Sequence, residues 1–84
     1  MKPIRLTKHA SERCLSRGAT LQEVEQAIRE GVRESVKANR QMSRMNFVFN
    51  DYWGNVFYPI KQVAPIFSEE TDEIVVITVY TYYF

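Results

Sequence analysis

The sequence predicts an α+β domain, with two N-terminal helices packed on a twisted antiparallel sheet of about four strands. Three observations predict it. Apolar residues recur at helical spacing up to Gly31 and alternate with period two from Val32 onward. Turn-forming residues gather in "NDYWGN" and "SEETD", between apolar runs. The helical and strand patterns are segregated along the chain, which separates this class from βαβ folds. With 84 residues, 45% of them hydrophobic and 25% charged, the chain suits one folded domain over 1–84.

Thr7 is placed to N-cap a first helix running to about Arg17, and Gly18 supplies its stop. Thr20 and Glu23 form a T-x-x-E capping box that opens a second helix. There Leu21, Val24, Ala27 and Ile28 form the apolar stripe, and Gly31 ends the helix. "VRESVKA" is the first expected strand and "ANRQ" a turn. "MSRMNFVF" is the second strand, with Met45, Phe47 and Phe49 on one face. After "NDYWGN", "VFYPIKQVAPIF" reads as a third strand whose Pro59 and Pro65 predict an edge position or a bulge. "EIVVITVYTYYF" is the strongest strand signal.

Charge is uneven. Residues 1–40 carry nine Lys/Arg against five Glu, whereas residues 41–84 carry two against five acids. The basic half is therefore N-terminal, compatible with a nucleic-acid or acidic partner. One cysteine excludes an internal disulfide and fits a reducing compartment. No apolar N-terminal run suggests a signal peptide, and the longest apolar run is too short to span a bilayer. A cytoplasmic protein without a membrane partner is expected.

The chemistry-bearing feature is the stripe His9, Arg13, Arg17. Each four-residue helical step advances by about 40°, so the three side chains share one stripe. Arginines four apart repel by a few tenths of a kcal/mol, roughly, and an anion between them reverses the sign. A histidine beside them, with an ordinary pKa of about 6.5, can exchange protons near neutrality. The alternative is a solvated face, with Arg17 favoured by the helix C-terminus. Against it, the helix has only Ala10, Cys14 and Leu15 as apolar anchors, and the arginines flank Ala10 and Cys14 at the margin of the packed face. One histidine and one cysteine do not make a zinc site, no glycine-rich phosphate loop is present, and Cys14 reads as a small core residue. No cofactor or metal is expected.

On the last strand, alternation puts Thr78, Tyr80 and Tyr82 on one face and Val75, Ile77 and Val79 on the other. The aliphatic row is expected to meet the helices. The hydroxyl row then faces water or a ligand, where its rings can stack on bases. Tyr52, Trp53 and Tyr58 extend such a surface unless Trp53 caps the core.

"LTKHASERCLSRGATLQEVEQAIREG" resembles the opening of the bacterial domain of unknown function 4258 family: a histidine, arginines at four-residue steps, a glycine, then a second helix begun by Ser/Thr and acidic residues. "EIVVITVY" is similar to that family's closing strand. The resemblance implies a fold related to the RelE and ParE toxins and an RNA-directed site. It carries the family histidine onto His9, the arginines onto Arg13 and Arg17, and the closing-strand positions onto Thr78 and Tyr80. Lys61 is a further basic candidate. For His9 to reach Thr78 and Tyr80, the first helix must lie at a sheet edge.

The resulting expectation is a small RNA-directed protein, a metal-independent endoribonuclease of the toxin type. His9 is its general acid or base, Arg13 and Arg17 hold the phosphate, and Thr78 and Tyr80 position the substrate. Expected partners are RNA, a cognate antitoxin-like protein, and a second copy paired through the C-terminal strand. The rival is a non-catalytic module binding nucleic acid or protein through the same stripe. A third reading has His9 and Arg13 tying the helix to sheet carbonyls.

Overall fold

The structure is a computed structural model and describes residues 2–84. Its elements are β1 (Ile4–Leu6), α1 (Lys8–Arg17), α2 (Leu21–Glu30), β2 (Val32–Lys37), β3 (Arg40–Trp53), β4 (Val56–Glu69) and β5 (Ile74–Tyr83). The class is α+β as expected, but the sheet has five strands in the order β1-β5-β4-β3-β2. It is mixed, because β1 pairs in parallel with β5. The sequence pattern misses β1 because three residues are too few to display a period.

Both helices begin as their caps dictate. The Thr7 hydroxyl accepts from the Ala10 amide and Thr20 accepts from Glu23, whose carboxylate returns to the Thr20 amide. Gly18 ends α1 at φ 76°, and there its missing side chain also matters: a Cβ would lie 2.7 Å from the Trp53 ring. Gly31 closes α2 with its amide on the Ala27 carbonyl.

The helices cover one sheet face. Val24 and Ile28 of α2, with Ala10 and Cys14 of α1, pack with Val63, Phe67, Ile74, Val76 and Val79 in one buried cluster. Met45 and Phe47 share this face, paired with Val63 and Lys61. Two of the expected anchors lie outside the cluster: Leu15 is 85% exposed and Leu21 is also exposed.

Long hairpins complete the sheet with tighter turns than the sequence predicts. Ala38–Asn39 and Gly54–Asn55 suffice, so β3 runs on through Trp53. Asn39 (φ 62°) and Asn50 (φ 47°) take left-handed backbone, which asparagine tolerates better than most residues. Asn50 lies where the β3–β4 register slips by one, between Val48 and Asp51, opposite Pro59. Pro65 lies beside a second slip, between Ile66 and Phe67 on the β5 side. The bulges expected from the prolines are present, but β4 is a central strand and not an edge.

The second slip corrects the facing of β5. Ile66 pairs with Thr78 and Phe67 with Val76, which makes Ile77 the extra residue. The buried row is therefore Ile74, Val76 and Val79, not Val75, Ile77 and Val79. Thr78, Tyr80 and Tyr82 keep the face away from the helices, opposite Ile66, Ala64 and Gln62.

Candidate functional site

β1 covers β5 only through Val76, so β5 presents a free edge from Ile77 onward. α1 lies along that edge. The Thr7 hydroxyl donates to the Ile77 carbonyl at 3.3 Å, and Arg17 Nη1 donates to the Val79 carbonyl at 2.8 Å. The Arg17 carbonyl in turn accepts from Thr81 Oγ1 at 2.9 Å and from the Tyr83 hydroxyl at 2.7 Å. These bonds occupy groups that an uncovered sheet edge and a helix C-terminus would otherwise leave to water.

The same geometry brings the predicted residues to one rim. His9 Nε2 is 3.2 Å from Thr78 Oγ1, the imidazole tautomer deciding which donates. The Arg17 guanidinium carbon is 5.1 Å from the centroid of the Tyr80 ring, a cation–π distance. Arg13 is half-buried one turn below His9, with no carboxylate in ion-pair range among the described residues. His9 and Tyr80 are exposed, so the rim is open to water. Thus α1 does lie at a sheet edge, and Arg17 rather than His9 or Arg13 ties it to a sheet carbonyl.

Lys61 is elsewhere. Its side chain, 8% exposed, pairs with Glu23 at 2.9 Å and donates to the Gly18 carbonyl at 2.9 Å. Its ammonium also sits 5.4 Å from the Phe49 ring centroid. This is a buried tie between the α1–α2 turn and β4. Trp53 caps the neighbouring cluster, stacked on Tyr83 at 4.8 Å.

Burial pushes the Cys14 thiol up, and the nearby Glu23 charge adds to the effect, so Cys14 stays protonated core and not a nucleophile. Burial likewise raises the Tyr83 phenol, partly opposed by its hydrogen bonding with Thr81. Tyr83 therefore holds the proton it donates to Arg17.

Sequence reasoning misses Thr81 and Tyr83 because "YTYY" puts hydroxyls on both faces of β5. It also misses a polar chain across the open face. Arg44 bonds Glu34 at 3.0 Å and Gln62 at 3.2 Å, and Gln62 donates to Asn46 at 2.9 Å. The two-residue spacing of Arg44 and Asn46 on β3 is the signal that could have found it, but only the register brings Gln62 alongside. No helix among the described residues is long and apolar enough to cross a membrane. Comparison with protein-family models, curated proteins and solved structures finds no match.

Proposed function

We propose that this chain is a small cytoplasmic RNA-directed protein of the RelE and ParE toxin-like kind, related to the domain of unknown function 4258 family. In this reading it is a metal-independent endoribonuclease. The supporting observation is the convergence of His9 and Arg17 on the Thr78–Tyr80 segment at one open rim, with Arg13 between them along α1.

Neutral His9 takes the proton from an RNA 2′-hydroxyl, whose oxygen attacks the adjacent phosphorus. The 5′-oxygen leaves and is protonated by water, giving a 2′,3′-cyclic phosphate. Arg13 and the guanidinium hydrogens of Arg17 not engaged by Val79 face the charge that develops on the phosphoryl oxygens. Thr78 fixes the imidazole, and Tyr80 offers a ring and a hydroxyl to the substrate. RNA is the partner in this reading, with a cognate antitoxin-like protein as its control. A homodimer through the C-terminal strand would use residues 80–84, since Thr7 and Arg17 already hold the carbonyls of Ile77 and Val79.

One observation favours the second reading, a non-catalytic module binding nucleic acid or protein. Arg17 is bound to a backbone carbonyl and helps dock α1, which is a structural use of the stripe. Cleavage of a mixed-sequence RNA pool in EDTA, with mapped product ends, separates the two. New 2′,3′-cyclic ends made by the wild type and reduced at least about 100-fold in His9→Ala support the enzyme. Binding without cuts by either protein selects the module.

A further inference from the structure

We infer that the sheet face opposite the helices is a platform for single-stranded RNA, running from the α1 rim to the β2–β3 hairpin. The inference rests on the RNA-directed reading above and names the form of RNA and its path. No element of the described chain covers this face. Along β5 it carries Tyr80, Tyr82 and Phe84, which are 37%, 43% and 54% exposed. The Arg17 guanidinium lies over the Tyr80 ring, and that of Arg44 lies 6.0 Å from the Tyr82 centroid. Across the strands, Arg44, Gln62 and Asn46 form a hydrogen-bonded row of donors and acceptors beside these rings.

Both ends of this face are cationic. Arg13 and Arg17 stand at the β5 side. At the opposite corner Lys37 and Arg40 are paired across the hairpin and have no carboxylate in ion-pair range among the described residues. They border a concavity of about 710 Å³ that also reaches Ser68, Ile77 and two carboxylates, Glu69 and Glu70. From β5 to β2 there are three interstrand steps, about 14 Å, a span suited to a few nucleotides. Of the carboxylates near this path, Glu34 is held by Arg44 and Glu69 by Lys2 and Arg33.

Charge and rings together select the occupant. Separated cations call for a polyanion, and exposed rings between them call for flat apolar groups that alternate with that charge. Unpaired nucleotides supply both. A duplex keeps its bases inside its own stack and offers these rings nothing to stack on, and an acidic peptide matches the cations but leaves the rings unused.

The test is fluorescence anisotropy with a labelled ten-nucleotide single strand and a hairpin duplex, both 2′-O-methylated so that the proposed cleavage cannot act. Wild type should bind the single strand more tightly than the duplex. Tyr82→Leu, which keeps apolar bulk but loses the ring, should weaken it about 5- to 150-fold. Lys37→Ala and Arg40→Ala, at exposed sites that spare the fold, should each lower the slope of log affinity against log salt by about 0.7. Equal affinity for duplex and single strand overturns the platform. So does binding that ignores Lys37, Arg40 and Tyr82 yet is lost in Arg13→Ala, although the rim reading then survives. Absence of binding with self-association in light scattering gives the face to a second copy and overturns it as well.

Discussion

The two helices have equal length and opposite means of attachment. α2 presents Val24, Ala27 and Ile28 to the sheet, all fully buried, and starts from a complete capping box. α1 buries only Ala10 and Cys14 and leaves Leu15 in water. What α1 lacks in apolar area it makes up with polar bonds to β5, through Thr7, Arg17, Thr81 and Tyr83. Apolar packing fixes depth and tolerates sliding, whereas directed hydrogen bonds fix register. The helix carrying the candidate site is thus the one whose position along the sheet is set bond by bond. Of the other members of the stripe, His9 meets β5 at the Thr78 hydroxyl, a side chain and not a backbone group.

The largest way to break this contrast lies beneath both helices. Lys61→Ala should cost about 3–5 kcal/mol in urea denaturation, because Glu23 would lose its buried counter-charge and the Gly18 carbonyl its donor. Next, Ile28→Ala should cost about 2–5 kcal/mol by removing the largest fully buried aliphatic side chain of α2. Arg17→Ala tests the polar side, and the loss of a charged hydrogen bond should cost about 1.5–3 kcal/mol. Arg17→Lys should recover only part of it, since an ammonium does not reproduce the planar contact with Tyr80.

Acid should act on another part of the frame. The hydrogen bond from Lys2, then that from Arg33, holds Glu69 below the usual carboxylate range, and the bond from Arg5 does the same for Glu73. Carboxylates lowered in the folded state stabilise it above their unfolded pKa of about 4.3, and that contribution disappears as pH falls through the folded value. Urea midpoints should therefore drop below about pH 4.3, and Glu73→Gln should flatten part of that drop. The smallest effect is kinetic: Cys14, buried and held as a thiol, should react with iodoacetamide only as fast as the domain opens, and at the free-thiol rate in urea.

How much of this was legible in the sequence depended on range. Thr7, Gly18, Thr20 and Glu23 announce both helix boundaries because caps and capping boxes are made within a few residues. Grouping His9, Arg13 and Arg17 also succeeds, since helical geometry alone sets it. The extra residue at Ile77 was not legible. It exists only relative to Phe67 and Ile66 on another strand, and it moves the buried row from Val75 and Ile77 to Ile74 and Val76. Pro65 shows the same limit: its sequence context predicts a ladder defect but not that the strand carrying it lies in the middle of the sheet. The double use of Arg17, guanidinium on one β5 carbonyl and its own carbonyl under two hydroxyls, likewise depends on where β5 passes.

The central claim is that docking and chemistry are divided within one stripe, with Arg17 holding α1 to a β5 backbone carbonyl and His9, set by the Thr78 hydroxyl, open to water at the rim. The direct measurement is urea denaturation and RNA cleavage on the same preparation of His9→Ala, beside Arg17→Ala. The account predicts a urea midpoint unchanged within about 0.5 kcal/mol for His9→Ala and cleavage lowered at least about 100-fold. Arg17→Ala should lose both stability and activity. A His9→Ala protein that cuts as fast as wild type, or that is destabilised as much as Arg17→Ala, would contradict the division.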